Sequence, residues 1–170
     1  MIRDIRRYRS EDWPALWAIL EPIFRAGETY GVRRDVSESE ARDLWTGPGK
    51  TVFVAEDPES GAVLGSYYLK ANGAGPASHV CNCGYAVSDR ARGRGVATAM
   101  CEHSQREGSR LGYRSMQFNL VASSNEGAVR LWRKLGFDVV GTLPGAFRHP
   151  TLGFVDAFVM FKDLRPPEPT

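Results

Sequence analysis

The run Val80–Leu111, VCNCGYAVSDRARGRGVATAMCEHSQREGSRL, decides how this 170-residue chain is read. Val80–Val87 reads as a strand, Ser88–Gly95 as a basic turn, and Gly95–Leu111 as a helix that Gly112 stops. Ala97, Met100, Cys101, Ser104 and Gly108 share one face of that helix, a pattern suited to close packing on a sheet. The turn Arg90–Thr98 supplies two glycines, three arginines, a hydroxyl and a helix N-terminus. Free N–H groups and positive partial charge at such a terminus suit a phosphate or pyrophosphate. A solvated basic turn ahead of a helix is the plain alternative. The turn is not a dinucleotide fingerprint, because G-x-G-x-x-G is absent, and not a P-loop, because no G-K-[ST] follows.

Outward from this run the chain alternates in an orderly way. On the N-terminal side, Arg3–Tyr8 is a strand candidate and Glu11–Ala26 a helix, with Trp13, Leu16, Trp17, Leu20, Ile23 and Phe24 at three-to-four spacing. Gly27 ends it. Ser37 and Glu40 match a capping box that opens a short helix through Trp45. Thr51–Glu56 and Ala62–Ala71 read as strands of a hairpin joined by Asp57–Gly61. Gly84, in mid-strand, fits a bulge that opens the sheet. On the C-terminal side, Ser115–Val121 is a strand with Met116, Phe118 and Leu120 on one face and Gln117, Asn119 and Val121 on the other. Ser124–Leu135 is a helix, and Asp138–Leu143 and Asp156–Lys162 are strands around a Pro/Gly/His loop. The order β-α-α-β-β-β-α-β-α-β-β predicts an α/β fold with a mixed sheet and helices on both faces.

Length and composition agree with one domain, expected over residues 1–164 with a short flexible tail at 165–170. Hydrophobic residues make up 42% and charged residues 25%, which argues against wholesale disorder. No apolar run approaches a membrane span, and MIRDIRRYRSEDW lacks the apolar stretch of a secretory signal, so the expectation is cytoplasmic. The 22 basic residues are 18 Arg and 4 Lys, but a net charge of +2 spread along the chain makes no nucleic-acid footprint. Cys81 and Cys83 share a strand face with no second pair or His cluster to complete a zinc site. Buried reduced thiols and no metal are expected.

The most specific signal combines two motifs, Arg90-x-x-Gly93-x-Gly95 and Asn125-x-x-Ala128-x-x-Leu131-Trp132-x-x-x-Gly136-Phe137. Together, in order and at this separation, they resemble motifs A and B of the GCN5-related N-acetyltransferase superfamily. The resemblance covers nearly the whole chain. It implies a mostly antiparallel central sheet splayed between strands 4 and 5, with acetyl-CoA as the donor. The backbone N–H groups of Arg92, Gly93, Arg94, Gly95, Val96 and Ala97, with the Thr98 hydroxyl, would cradle its pyrophosphate. Tyr85 to Val87 would pair with the pantetheine arm, the Val87 N–H would be the oxyanion donor, and Asn125, Ala128 and Trp132 would flank the arm. Two departures stand out. Many members carry Tyr at the Trp132 position as the acid for the leaving thiolate, and many carry Glu on the strand before motif A, where this chain has Asn82.

The strings His79–Tyr85 and Phe118–Val121, with Asn125, resemble the fungal proline-analogue (azetidine-2-carboxylate) N-acetyltransferases and their bacterial relatives. That subgroup implies Asn82 as the group orienting the amine, and Asn119 with the Leu120 N–H as contacts to the substrate carboxylate or the acetyl oxygen. The plain alternative is that both asparagines satisfy neighbouring strand backbone. Glu28 and Tyr30, in the segment that shapes the acceptor pocket in this superfamily, are further substrate-binding candidates. Arg33, Arg34 and His149 are weaker ones. The expected reaction moves an acetyl group to a primary or secondary amine of a small molecule, an amino acid or analogue. A protein N-terminus, polyamine or antibiotic is the alternative acceptor, and a catalytically weak acetyl-CoA-binding module is the alternative of another class. A homodimer is a family-based expectation, and no nucleic-acid or membrane partner is expected.

Overall fold

The computed structural model describes residues 4–165; Arg3 of the expected first strand and 166–170 of the expected tail lie outside them. Eleven elements follow the predicted order: β1 (Asp4–Arg7), α1 (Trp13–Ala26), α2 (Glu38–Thr46), β2 (Lys50–Glu56), β3 (Val63–Ala71), β4 (Val80–Val87), α3 (Val96–Arg110), β5 (Ser115–Ala122), α4 (Glu126–Lys134), β6 (Asp138–His149) and β7 (Gly153–Asp163). The strands form one sheet in the order β1-β2-β3-β4-β5-β7-β6. All neighbours are antiparallel except β4 and β5, which run parallel.

Local chemistry sets the element ends. Gly27 closes α1 in the left-handed region at φ 68°, where a Cβ would be strained. At α2 the capping box forms in both directions: Ser37 accepts from the Glu40 N–H, and the Ser37 N–H donates to Glu40. The α1–α2 pair covers one face of the sheet through Leu16, Leu20, Phe24 and Trp45, while α3 and α4 cover the other through Met100, Cys101, Val129 and Trp132. Trp13 and Trp17, stacked with ring centroids 6.1 Å apart, belong to the α1–α2 layer.

The sheet is splayed where expected, though not by the expected device. β4 and β5 pair only at Val80↔Ser115 and Cys81↔Met116 before separating. Across Gly84 the β3–β4 register runs unbroken, so β4 has no bulge there against β3. Gly84 is needed for a different reason: a Cβ on it would lie 2.5 Å from the Tyr68 ring. The irregularity sits in β5 instead, where Asn119 and Leu120 fall between the β7 pairings Phe118↔Met160 and Val121↔Phe158. Two residues opposing one shift the strand's alternation by a single position. Met116, Phe118 and Val121 therefore point into the core, whereas Leu120 is exposed. This corrects the simple alternation expected over Ser115–Val121.

The expected Pro/Gly/His loop is largely strand. β6 runs on to His149 and β7 begins at Gly153. Pro144 and Gly145 fit because β6 is an edge strand and its pairing with β7 is interrupted between Leu143 and Phe147. His149 does not line the cleft described below. Its Nδ1 accepts from the N–H groups of Thr151 and Leu152, bracing the hairpin turn.

Candidate active site

The splay between β4 and β5 opens a cleft of about 1140 Å³, lined from α1, the loop after it, α2, β2, β3, β4, the turn before α3 and its first turn, β5 and α4. That is somewhat above the roughly 300–1,000 Å³ of ordinary ligand pockets. The ladder alternation of β4 decides which backbone groups face it. At either end, Asn72 N–H donates to the Val80 carbonyl (2.8 Å) and Ser88 N–H to the Leu64 carbonyl (2.8 Å). With the register unbroken between them, even-numbered residues of β4 bond to β3. Odd-numbered residues turn their N–H and C=O groups to the β5 side, where no strand pairs with Tyr85 and Val87, beyond the Cys81↔Met116 pairing. The Tyr85 carbonyl accepts the Tyr30 hydroxyl at 2.6 Å. Tyr30 is thus engaged by backbone through its one donor, and burial pushes its phenol well above the usual range.

At the other end of the cleft lies the turn before α3. Gly93 and Gly95 have φ of 74° and 79°, and a Cβ on either would meet nothing within 4 Å. Arg92 and Arg94 N–H groups turn inward to the Asp89 and Ala91 carbonyls, both at 3.3 Å. The N–H groups of Val96, Ala97 and Thr98, in the first turn of α3, have no intrahelical acceptor. Of the six residues expected to offer N–H groups, Arg92 and Arg94 therefore point theirs inward. Their side chains are engaged too: Arg92 with Asp89 and Arg94 with Asp57, both at 2.8 Å, and Arg94 holds the Asp57 carboxyl down to about 2. Among the described residues Arg90 has no ion pair, and it lines the cleft.

Asn125 caps α4, its Oδ1 accepting from the Ala128 N–H at 3.3 Å, and both residues line the cleft. Trp132 forms the wall, with ring centroids 5.0 Å from Tyr85 and 5.2 Å from Phe118. Asn82 is buried, and its Nδ2 donates to the Gln117 carbonyl at 2.8 Å. A carbonyl partner requires the amide NH₂, which fixes the orientation of the group and leaves Oδ1 without a donor among the described residues. Asn119 is exposed at the cleft, giving an N–H to Asn72 Oδ1 (2.6 Å) and accepting from Gln117 Nε2 (2.9 Å). Asn82 satisfies neighbouring strand backbone, as the plain alternative held, whereas Asn119 bonds only to side chains; both also line the cleft with Leu120. Glu28 is exposed at its margin. Arg33 pairs with Asp35, and Arg34 donates to the Arg25 carbonyl.

The three cysteines are buried and free. Burial pushes the Cys81 thiol up to about 12 and Cys83 well above its usual value, so neither is a thiolate. Among the described residues no three His, Cys, Asp or Glu side chains are grouped to hold a metal, and no helix is long and apolar enough to cross a membrane. Sequence reasoning missed Lys50, Lys70 and Tyr68, which line the acceptor side of the cleft. The in-phase spacing of Lys50 and Val52 carried part of that signal, since it puts Lys50 on the face that α1 and α2 cover.

Comparison with known proteins agrees with this geometry. A solved GCN5-related N-acetyltransferase from Kribbella flavida superposes with a TM-score of 0.89 at 41% identity, covering 94% of this chain and 96% of that one. A phosphinothricin acetyltransferase from Sinorhizobium meliloti, solved in complex with acetyl-CoA, shares the fold at a TM-score of 0.83 and 24% identity, over 99% of this chain and 95% of that one. In sequence, N-acetyltransferase aca1 of Schizosaccharomyces pombe is 30% identical over an alignment of 150 residues that covers 78% of this chain and 71% of that protein. The family model described as Acetyltransferase (GNAT) family matches residues 7–137. The cleft between β4 and β5 is thus the site of an acyltransferase fold, and the chain belongs to the GNAT family of N-acetyltransferases.

Proposed function

We propose that the protein transfers the acetyl group of acetyl-CoA to the amine of a small amino acid or analogue, by direct attack of the amine on the thioester. The observation that carries the reading is the unpaired edge of β4, with the Val87 N–H aimed into a cleft that Asn82 also lines. The residues fit the donor: open space above Gly93 and Gly95, unengaged N–H groups at the start of α3, and a strand edge free to accept an extended arm. Bound acetyl-CoA supplies the activated acetyl group. The start of α3 and Arg90 hold its phosphates, and Trp132, Ala128 and Asn125 close the far side of the arm. Val87 N–H donates to the thioester oxygen as negative charge grows there. Asn82 Oδ1 accepts from the attacking amine and aligns it.

The indole of Trp132 carries no usable acid. The thiolate departs without an acid from the protein, being a good leaving group with a pKa of roughly 8.5 for a Cys-like thiol, and the proton that the amine nitrogen loses as the amide forms passes to solvent. The outward apolar residues of the β6–β7 arm, Val140, Leu152 and Phe154, favour assembly as a homodimer.

The testing experiment measures CoA-thiol release over amino acids, polyamines and peptides with free N-termini. Release is expected chiefly with small amino acids. An acceptor amine of pKa about 8–10 is mostly protonated at pH 7 and must be neutral to attack, so kcat/KM rises from pH 6.5 to 9. Tight acetyl-CoA binding with no release on any amine overturns the enzyme reading in favour of a binding module.

A second measurement concerns Asn82. Asn82→Ala removes both the Oδ1 acceptor and the Nδ2 strut to Gln117. It lowers kcat by about 10–100-fold while the acetyl-CoA affinity moves far less. Undiminished kcat in the variant removes Asn82 from the reaction.

A further inference from the structure

Two of the chain's four lysines face each other inside the cleft. Lys50 of β2 and Lys70 of β3 are direct cross-strand partners, and Lys70 is in turn the partner of Asn82 on β4. Side chains of directly paired residues project to the same face, so Lys50, Lys70 and Asn82 form one row across three strands on the α1–α2 side. All three line the cleft, and both lysines are half-buried.

Like charges directly opposite one another destabilise a sheet. The usual remedy is an acidic partner. Among the described residues neither ammonium has one within ion-pair distance, although nine such pairs form elsewhere. The one acidic group that bears on Lys50 is Asp43 of α2, and Glu28 lies at the cleft margin. Burial and the facing Lys70 pull the Lys50 ammonium below its usual value despite Asp43. Lys162, by contrast, is engaged with Gln105 and the Leu135 carbonyl.

We propose that Lys50 and Lys70 form an anion subsite at the acceptor end of the cleft, taking the carboxylate, or an equivalent phosphinate or phosphonate, of an acceptor whose amine sits at Asn82. An anion between the two ammonium groups replaces repulsion by two charge-assisted hydrogen bonds. Adjacent strands lie about 4.8 Å apart, so the row spaces amine and anion for one small molecule. The inference rests on the proposed acetyl transfer for its meaning, but its test does not depend on turnover.

The test pairs α-amino acids with their primary amides in the release assay, with aminophosphinates and aminophosphonates as further arms. It adds calorimetry of N-acetyl amino acids and their amides on the CoA-loaded protein. The wild type is expected to favour acids over amides by about tenfold or more. Lys50→Met with Lys70→Met abolishes that preference, and Lys70→Arg keeps it. The ranking of the carboxylate, phosphinate and phosphonate arms identifies which anion the subsite takes. Equal use of acids and amides by the wild type, or equal losses on both in the double variant, overturns the subsite and leaves acetyl transfer standing. If nothing turns over yet the CoA-loaded wild type binds the acid in a lysine-dependent way, the subsite stands and acetyl transfer falls. If neither turnover nor acid-selective binding is seen, both fall.

Discussion

Val87→Pro lowers kcat by about 10²–10³-fold with every tested amine, the range found when a single oxyanion donor is removed. The substitution is chosen because it deletes one N–H without breaking a sheet hydrogen bond, although the ring also replaces the isopropyl group that packs against the core. Val87 lies opposite Gly65 at a position of the β3–β4 ladder whose N–H faces away from β3, so no sheet hydrogen bond is lost. The neighbouring ladder bond, Ser88 N–H to the Leu64 carbonyl, remains available. Proline restricts the preceding residue to extended conformations, which Ala86 already has within β4. Thermal stability and the dissociation constant for acetyl-CoA, measured beside kcat, therefore change far less than the rate. A variant that keeps more than half the wild-type kcat shows that the Val87 N–H does not stabilise charge in the reaction.

The second large effect is on stability. Trp45 of α2 has no exposed surface, and its indole N–H donates to Ser66 Oγ at 3.1 Å. Its ring meets Phe24, Tyr30 and Tyr68 with centroids 6.4, 5.8 and 5.0 Å away. Trp45→Ala removes that packing and leaves a cavity beneath the acceptor side of the cleft, costing about 3–5 kcal/mol. For a chain of this size each kcal/mol moves Tm by roughly 2–4 °C, so calorimetry should read a fall of about 6–20 °C. Because Tyr30 and Tyr68 both lean on Trp45, the acceptor KM is expected to rise more than the acetyl-CoA KM. A loss under about 1 kcal/mol would place the Trp45 site among those that collapse freely.

How far the fold could be read without coordinates depended on the range of the interaction. The capping box Ser37–Glu40, the stops at Gly27 and Gly112, and the strand Val80–Val87 are local features, and the chain folds there as read. The bulge at Asn119–Leu120 escaped notice because nothing in that segment marks it; the shift exists only against β7, some forty residues later. Gly84 invited a bulge because glycine in a strand often marks one, whereas its actual constraint is the Tyr68 ring on a neighbouring strand. The arginines of Arg90–Arg94 looked equivalent in the turn. Asp57, from the β2–β3 hairpin, separates Arg94 from the others.

The order of elements, the two motifs, the glycines that open the turn before α3 and the polar residues around the splay were all determined by sequence. Each depends on residues a few positions apart, where spacing alone sets the shared face or the cap. Tertiary structure alone decided the register that sets Lys50 against Lys70 and beside Asn82, the Tyr30 hydroxyl on the Tyr85 carbonyl, and the amide orientation of Asn82. These pairings join residues 12 to 55 positions apart. A one-residue slip in register would turn every side chain of a strand to its other face, and only the packed sheet excludes it.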